Sequence, residues 1–358
     1  MTKIRFRSNL RPVILVMAAL AVLAALAASA SASRSVTQAT SATAPPTPLT
    51  AAGWRALVGR AKEEGSVNLY SVQAPANLAA LAKAFEAKFN IKVNVNRNVD
   101  NVMLAQINAE QSTGNHVADI WVPSLKRYVL GATRNGWISD ARGPNFFKKR
   151  FDRKTHLVGK GWHVGSAVLG MAWNTKAVPN GVTDGKSFLA ANFQGRIGVP
   201  DPRVSTSFMD WYLWANKKYG ADFESKLAAQ KPKIYVSSLP MTQAVASGEI
   251  IGAPVAAGTA LALKEAGAPI DYKVLPDNWN APYIGVILKT APHPNAAQLL
   301  ADYMLSPEGQ ALANNGFGAL YPGIKGTFYA KIRDVNVNDF TPAKVKTFND
   351  NWVNLFTK

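Results

Sequence analysis

Small groups of polar side chains follow four predicted strands, at the points where the next predicted helices begin. The first N–H groups of a helix have no partner inside the helix and carry part of its positive dipole, so hydroxyl and amide groups beside them favour an anion. These groups, together with one tryptophan at the end of a strand, contain the predicted ligand-binding residues. They are Ser71, Gln73, Trp121, Ser124, Asp201, Ser205, Thr206, Ser207, Gly258 and Thr259.

The densest group is Ser205-Thr206-Ser207. One hydroxyl before a helix is ordinary capping, but three in succession exceed what a cap needs. We therefore predict that this loop holds an anionic group of the ligand. Trp121 and Trp279 fall on or near the same loops, and an aromatic wall suits a small organic molecule. Trp211 and Trp214 stand three apart on a predicted helix, which indicates a core position.

Motifs for catalysis are missing from the sequence. It contains no G-x-S-x-G, no H-E-x-x-H, no phosphate-binding glycine loop and no cysteine. The histidines are scattered, and His293, within Ala-Pro-His-Pro, indicates a surface turn. We expect no catalytic residue, no bound metal and no cofactor. The alternative from another class is a secreted hydrolase, in which a serine would have to meet His163 or His116 and an acid in space.

Strand-like and helix-like segments alternate through most of the chain. This alternation predicts α/β lobes with largely parallel sheets, and the spacing of Leu78, Leu81, Phe85 and Phe89 predicts a helix over 76–89. The predicted strands are Ser66–Val72, Ile91–Asn98, Ala118–Val122, Ala167–Trp173, Arg196–Pro200, Lys233–Ser237, Ile250–Val255, Ile270–Leu275 and Tyr283–Lys289.

The first residues predict export. A basic start, an apolar run and small residues near Ala32 are typical of a signal peptide over 1–32, although an uncleaved anchor remains open. Residues 33–50 are rich in Ser, Thr and Pro and predict a flexible linker. Because there is no cysteine, a lipid anchor on cysteine is excluded, and we expect the mature protein in the periplasm or cell-wall space. The net charge of +18 attracts anions, but export argues against nucleic acid as a partner.

Several segments together resemble the type II periplasmic solute-binding proteins of ABC importers, in the branch that includes ferric-iron and phosphonate binders. The resemblance rests on the order and spacing of Val67-Asn68-Leu69-Tyr70-Ser71, Ala118-Asp119-Ile120-Trp121, Leu169–Lys176, Gly198–Pro202, Gly285–Lys289, His293–Ala297 and Tyr303–Gln310. It implies two α/β lobes joined by hinge strands, with a ligand cleft between them, no catalysis and a membrane permease as partner.

The same resemblance divides the chain and brings two loops together. It implies a first lobe over 51–165, a second over 166–275, and a return to the first lobe with C-terminal helices over 276–358. The loops 71–73 and 205–207 would face each other across the cleft. We expect a monomer that captures a small anionic organic ligand.

One departure from that family concerns iron. Ferric-iron members carry two adjacent tyrosines after the strand that matches Ile250–Val255, whereas Ala256–Leu263 of this chain contains no tyrosine. Fe³⁺ needs anionic oxygen ligands, so iron binding in the family's manner is disfavoured. An iron-binding or other metal-binding member remains the alternative within the family.

Two further segments leave alternatives open. The basic run 147–154 predicts a solvated face, or a surface for the permease or cell wall. Val345, Phe348, Trp352 and Phe356 predict a C-terminal helix, which we expect against the first lobe.

Overall fold

A computed structural model describes residues 46–329, 331–333 and 335–357. The predicted signal peptide and most of the predicted linker lie outside these residues. None of the helices in the described ranges is long and apolar enough to cross a membrane.

Twelve α-helices occur in the described part of the chain. They are α1 (Ala51–Glu64), α2 (Pro75–Phe89), α3 (Asp100–Thr113), α4 (Lys126–Arg134), α5 (Arg153–His156), α6 (Thr206–Tyr219), α7 (Phe223–Ala229), α8 (Ser238–Ser247), α9 (Ala257–Glu265), α10 (Pro294–Met304), α11 (Pro307–Ala313) and α12 (Pro342–Phe356). The helix predicted over 76–89 is confirmed as α2, which buries Leu78, Leu81 and Phe85.

The strands include all nine that the sequence predicts, with ends that differ by a few residues. They are β1 (Ser66–Ser71), β2 (Lys92–Arg97), β3 (Ile120–Val122), β4 (Ile138–Ser139), β5 (Leu157–Val158), β6 (Gly161–Asn174), β7 (Gly198–Pro200), β8 (Lys233–Tyr235), β9 (Gly252–Ala256), β10 (Ile270–Lys273), β11 (Asn280–Leu288), β12 (Gly318–Ala319) and β13 (Phe328–Tyr329). The four that the sequence does not predict, β4, β5, β12 and β13, have two residues each, too short for a periodic signal.

The large sheet is mixed, so the prediction of largely parallel sheets is wrong. β1 pairs in parallel with β2 and β3, but β11 is antiparallel to β3 and β6, and β6 is antiparallel to β9 and β10. Both β6 and β11 are long and almost wholly buried. They run through both halves of the molecule, which makes them the strands that join its two lobes.

Each lobe has its own hydrophobic core. The first lobe packs α1, α2, α10 and α11 around β1, with Leu69 and Phe85 fully buried. The second lobe packs α6 and α7 near β7 and β9, and its core includes Phe188 and Trp211. The fold is therefore the two-lobed α/β arrangement that the sequence predicts.

The C-terminal helix lies on the other lobe from the one expected. α12 contacts α6 and α7 of the second lobe, and Trp352 is fully buried there, with its ring 6.2 Å from that of Tyr212. On the way, Phe340 packs with Leu125 of the first lobe and Met209 of the second. The tail therefore crosses from one lobe to the other, a course that helical spacing alone cannot predict.

Candidate functional site

A cleft of about 370 Å³ lies between the lobes. Loops that follow β1, β2 and β3 form its first-lobe side, and the starts of α6, α8 and α9 form its second-lobe side. Residues of β6 and β11 also line it. Strand ends and helix starts thus converge on one space, as expected of ligand sites in α/β proteins.

Apolar and aromatic side chains make up most of the cleft wall. The aromatic members are Phe208, Trp211, Trp279, Tyr283 and Phe317. Among the described residues of the wall, Arg97 is the one cation and Asp100 the one anion. The cleft therefore offers stacking surfaces and two opposite charges, which suits a small organic ligand with a charged group.

Helices begin on both sides of the cleft without a side-chain cap. This holds for α2, α8 and α9, whose N-cap residues are Ala74, Ser237 and Ala256. Ser238 Oγ instead accepts a hydrogen bond from Ala256 N at 2.9 Å, which ties the starts of α8 and α9 together. Uncapped N–H groups and helix dipoles make the starts of these three helices favourable for an anion.

Five of the ten predicted ligand-binding residues line the cleft. They are Ser124, Ser205, Ser207, Gly258 and Thr259. A Cβ on Gly258 would lie 2.3 Å from Phe317 Cε2, so only glycine permits α9 to approach the first lobe this closely. Thr259 Oγ1 lies 2.7 Å from Thr242 Oγ1 and donates to Ala256 O at 2.7 Å.

The other five predicted residues lie behind the wall. Ser71 and Gln73 are buried and hydrogen-bonded to each other, and Gln73 Nε2 donates to Ala313 O at 3.2 Å. Trp121 is fully buried in a core with Met103 and Ile107. Asp201 forms an ion pair with Arg203, whose Nη2 lies 2.6 Å away, and Thr206 Oγ1 lies 3.2 Å from Tyr128 Oη. These five side chains support the fold around the cleft.

The hydroxyl groups of the predicted anion grip are bonded to the first lobe. Ser205 Oγ donates to Asp100 Oδ2 at 2.7 Å, and it also accepts from Ser207 N as the N-cap of α6. Ser124 N donates to Asp100 Oδ1 at 2.9 Å, and Ser124 Oγ bonds both Asp100 Oδ2 and Ser207 Oγ. We call Asp100, Ser124, Ser205 and Ser207 the interlobe latch. It joins α3 and the start of α4 to α6.

Sequence reasoning missed the two charged residues of the cleft. Arg97 ends β2 and Asp100 begins α3, separated by Asn98 and Val99. This turn also connects a predicted strand to a helix, as the predicted site loops do. It contains no serine or threonine, however, and hydroxyl groups were the feature that marked the other loops. Ser237 and Ser238, at the start of α8, were also missed as cleft residues.

A Ser–His–Asp contact occurs outside the wall of the cleft. His293 Nε2 lies 3.2 Å from Ser66 Oγ, and His293 Nδ1 lies 2.9 Å from Asp119 Oδ2. Asp119 also accepts from Asn68 N and His293 N, at 2.7 and 2.6 Å. These bonds fasten the start of α10 to β1 and β3. None of the three side chains lines the cleft.

Tyr283 is the one tyrosine among the described residues of the cleft wall. Burial raises the pKa of Tyr283, which opposes formation of a phenolate. The described residues contain no group of three His, Cys, Asp or Glu side chains placed to hold a metal ion.

Comparisons with known proteins agree with this geometry. Residues 68–317 match the family of bacterial extracellular solute-binding proteins, so the chain belongs to that family. An uncharacterized protein of Haemophilus influenzae is 26% identical over 287 residues, which cover 75% of this chain and 80% of the relative.

Solved structures show the same fold. The periplasmic binding protein AfuA of Actinobacillus pleuropneumoniae, with fructose-6-phosphate bound, is 22% identical, with a TM-score of 0.65 over 82% of this chain and 99% of its own. Iron-bound HitA of Pseudomonas aeruginosa is 20% identical, with a TM-score of 0.61 over 80% and 99%. At this identity, the likeness extends to the fold alone. The chain is thus similar in fold both to a sugar-phosphate binder and to an iron binder.

Proposed function

We propose that the protein captures a small organic ligand with an anionic group and delivers it to the permease of an ABC importer. The observation that carries the proposal is the cleft itself, in which Arg97 is the one cation among the described residues of a largely aromatic and apolar wall. The protein would act without catalysis, as a monomer, and outside the cytoplasmic membrane after loss of the predicted signal peptide.

Arg97 and the uncapped starts of α8 and α9 support an anionic ligand group in the cleft. Arg97 Nε donates only a long bond, 3.4 Å, to Gln73 O, which leaves most of its guanidinium donors for a ligand. The starts of α8 and α9, with Ser237, Ser238 and Thr259, lie in the same wall. Two N–H groups of a guanidinium fit a carboxylate or phosphate in a bidentate manner.

The negative charge of Asp100 disfavours an anionic ligand group beside Ser205 and Ser207. Its carboxylate already accepts bonds from Ser124 and Ser205, and it would repel a second negative charge beside it. Among the ten residues predicted from sequence, we therefore assign Gly258 and Thr259 to the anionic end of the ligand. Ser124, Ser205 and Ser207 are assigned to closure of the lobes around it.

The aromatic wall supports an organic body rather than a bare ion. Trp279 Nε1 donates to Asp210 Oδ2 at 2.6 Å, which fixes the indole with its apolar face free for packing. Trp211 is both a core residue, as predicted, and part of the wall. A metal ion would gain nothing from these faces, and Tyr283 is held in its neutral form, so the iron alternative receives no support from the side chains of the cleft.

A ligand screen followed by titration tests the proposal. Small organic anions are first screened by thermal shift, because a ligand of the folded state raises the melting temperature. Calorimetry with the best ligand then compares the wild type with Arg97→Ala. Loss of a charged hydrogen-bonded contact costs about 1.5–3 kcal/mol, so affinity should fall roughly tenfold to a hundredfold.

Lys92→Ala is the matched control, since Lys92 is exposed on the same strand, β2, and does not line the cleft. Its affinity should equal that of the wild type. Equal affinity in Arg97→Ala and Lys92→Ala would remove Arg97 from the site.

A further inference from the structure

A second cavity, of about 690 Å³, lies beyond the interlobe latch. Ser124, Ser207 and Ala281 contribute to the walls of both this cavity and the cleft, and Ser124 Oγ donates to Ser207 Oγ at 3.1 Å. The other walls come from elements that the cleft does not use. These are the start of α4, the segment of α5 and β5, His163 of β6, and residues 331–333 and Val335 of the C-terminal tail.

Cationic side chains surround this second cavity. Lys154 and Lys331 line it and form no ion pair with any residue in the described ranges. Arg333 lines it from the tail, with Nη1 2.5 Å from Asp210 Oδ2. Asp210 is the one carboxylate among the described residues of the wall, and it also accepts a bond from Trp279. Its charge is therefore already matched, and the lysines give the described wall an excess of positive charge.

His163 adds a buried polar group without a partner. The residue is 6% exposed, and its Nδ1 atom has no hydrogen-bond partner among the described residues. Native proteins satisfy nearly all buried polar atoms, so an unsatisfied one in a cavity wall indicates a place where a ligand or solvent atom belongs. Burial lowers the pKa of His163 to about 3, and the charges of His156 and Lys126 act in the same direction. The ring is neutral at neutral pH and offers one N–H donor.

The start of α4 meets the same cavity. Its N-cap residue, Leu125, has an apolar side chain that cannot cap the helix, and Leu125 and Lys126 line the wall. The positive end of the helix dipole therefore adds to the field of the lysines.

From these observations we propose that the second cavity is a binding site for a small organic polyanion, such as a polycarboxylate or a phosphate ester. Lys154 and Lys331 neutralise its charge, Arg333 remains paired with Asp210, and His163 provides a hydrogen bond. The site is distinct from the ligand site assigned to the cleft, because the two walls share only Ser124, Ser207 and Ala281 among the described residues. Since the tail supplies one wall and the first lobe another, occupancy also holds the tail against the first lobe.

Calorimetric titration of the full mature chain with citrate, and separately with inorganic phosphate, tests this site. We expect saturable binding of one equivalent, tighter for citrate because a larger polyanion reaches more of the cations. Lys331→Ala and Lys154→Ala should each weaken citrate binding about fivefold to tenfold.

Two control variants make the result specific. Lys325→Ala removes the same charge from an exposed position in the same tail but outside the cavity wall, and should leave citrate affinity unchanged. Arg97→Ala alters the cleft alone and should also leave it unchanged, so that failure of the second site and failure of the proposed function can be told apart.

NMR of the histidine side chains tests the site in the wild-type protein, so the result does not require a variant to fold. The chain has four histidines, so their ring nitrogens can be resolved by NMR on the labelled protein. Citrate should shift the signals of His163, with those of His116 and His293 unmoved, because only His163 of these three lines the cavity.

Three outcomes would overturn the proposal. The first is the absence of saturable binding of either probe. The second is an equal loss in Lys331→Ala and Lys325→Ala, which would indicate diffuse attraction to a basic surface. The third is a loss in Arg97→Ala with normal binding in Lys331→Ala, which would place the probe in the cleft.

Discussion

At the scale of single residues, the chemistry of this protein depends on which polar groups are left without partners. The sequence predicts that Ser205 and Ser207 bind the ligand. In the structure their hydroxyl groups form hydrogen bonds with Asp100 and Ser124. The sequence gives no such signal for Arg97, yet it is the one cation among the described residues of the cleft wall. A sequence shows residue types and spacing, but it does not show which hydrogen bonds other elements will satisfy.

His163 should make the protein sensitive to acid. Its pKa is lowered from 6.5 to about 3, first by burial and then by the charges of His156 and Lys126. Between these two pH values, His163 binds a proton in the unfolded chain but not in the folded chain. The free energy of unfolding therefore falls as the pH drops from about 6.5 towards 3. At pH 5 the loss from this residue is about 2 kcal/mol relative to pH 7.

Urea unfolding of the wild type and of His163→Gln at the two pH values checks this. The variant cannot titrate at this position, so its stability should fall less between pH 7 and pH 5. An identical fall in both proteins would mean that His163 titrates normally in the folded state.

At the scale of elements, Ser205 has two tasks that can be separated by a matched variant. It caps α6, and it donates to Asp100 across the lobes at 2.7 Å. Ser205→Ala should lower the free energy of unfolding by about 1 kcal/mol through loss of the cap. It should also weaken ligand binding about fivefold to tenfold, because the closed state loses a bond to a buried carboxylate.

Ser306→Ala is the control for the cap alone. Ser306 Oγ accepts from Gly309 N at 3.0 Å at the start of α11 and does not line the cleft. Its stability should fall by a similar amount with unchanged affinity. If both variants bind ligand equally well, the latch does not contribute to closure.

The C-terminal helix should carry much of the stability of the second lobe through one side chain. Trp352 is fully buried beside Tyr212 and Phe356. Trp352→Ala should lower the free energy of unfolding by about 3–5 kcal/mol, as expected for a large core side chain. Leu355→Ala, at a position that is 44% exposed on the same helix, should change it by less than about 0.5 kcal/mol. Chemical denaturation of the two variants measures the difference, and equal losses would contradict the packing described here.

Elements were easier to predict than the way they pair. Each predicted strand exists, because β-branched and aromatic runs of this length have few other uses. β6 begins at Gly161, six residues before its predicted start at Ala167, and its antiparallel partners β9 and β10 are far along the chain. Such pairings follow from the hinge between the lobes. Local periodicity contains no information about them.

At the scale of the whole molecule, the segments that carry the family resemblance predicted the lobes and the cleft between them. They could not predict the tail, since α12 lies beyond the strongest resemblance and packs on the second lobe. Nor could they predict the second cavity, whose walls combine the tail with the basic run at Lys154. Both features depend on contacts between segments that are more than a hundred residues apart.

Movement of the lobes around a captured ligand can be measured by small-angle X-ray scattering. The mature protein is first stripped of ligand by unfolding and refolding, and then measured alone and at saturation with the ligand found in the thermal-shift screen. Because the latch and the cleft wall draw on both lobes, the radius of gyration should decrease at saturation. Arg97→Ala, at the same ligand concentration, should stay closer to the ligand-free value. An unchanged radius of gyration in the wild type, with saturation verified by calorimetry, would contradict the account.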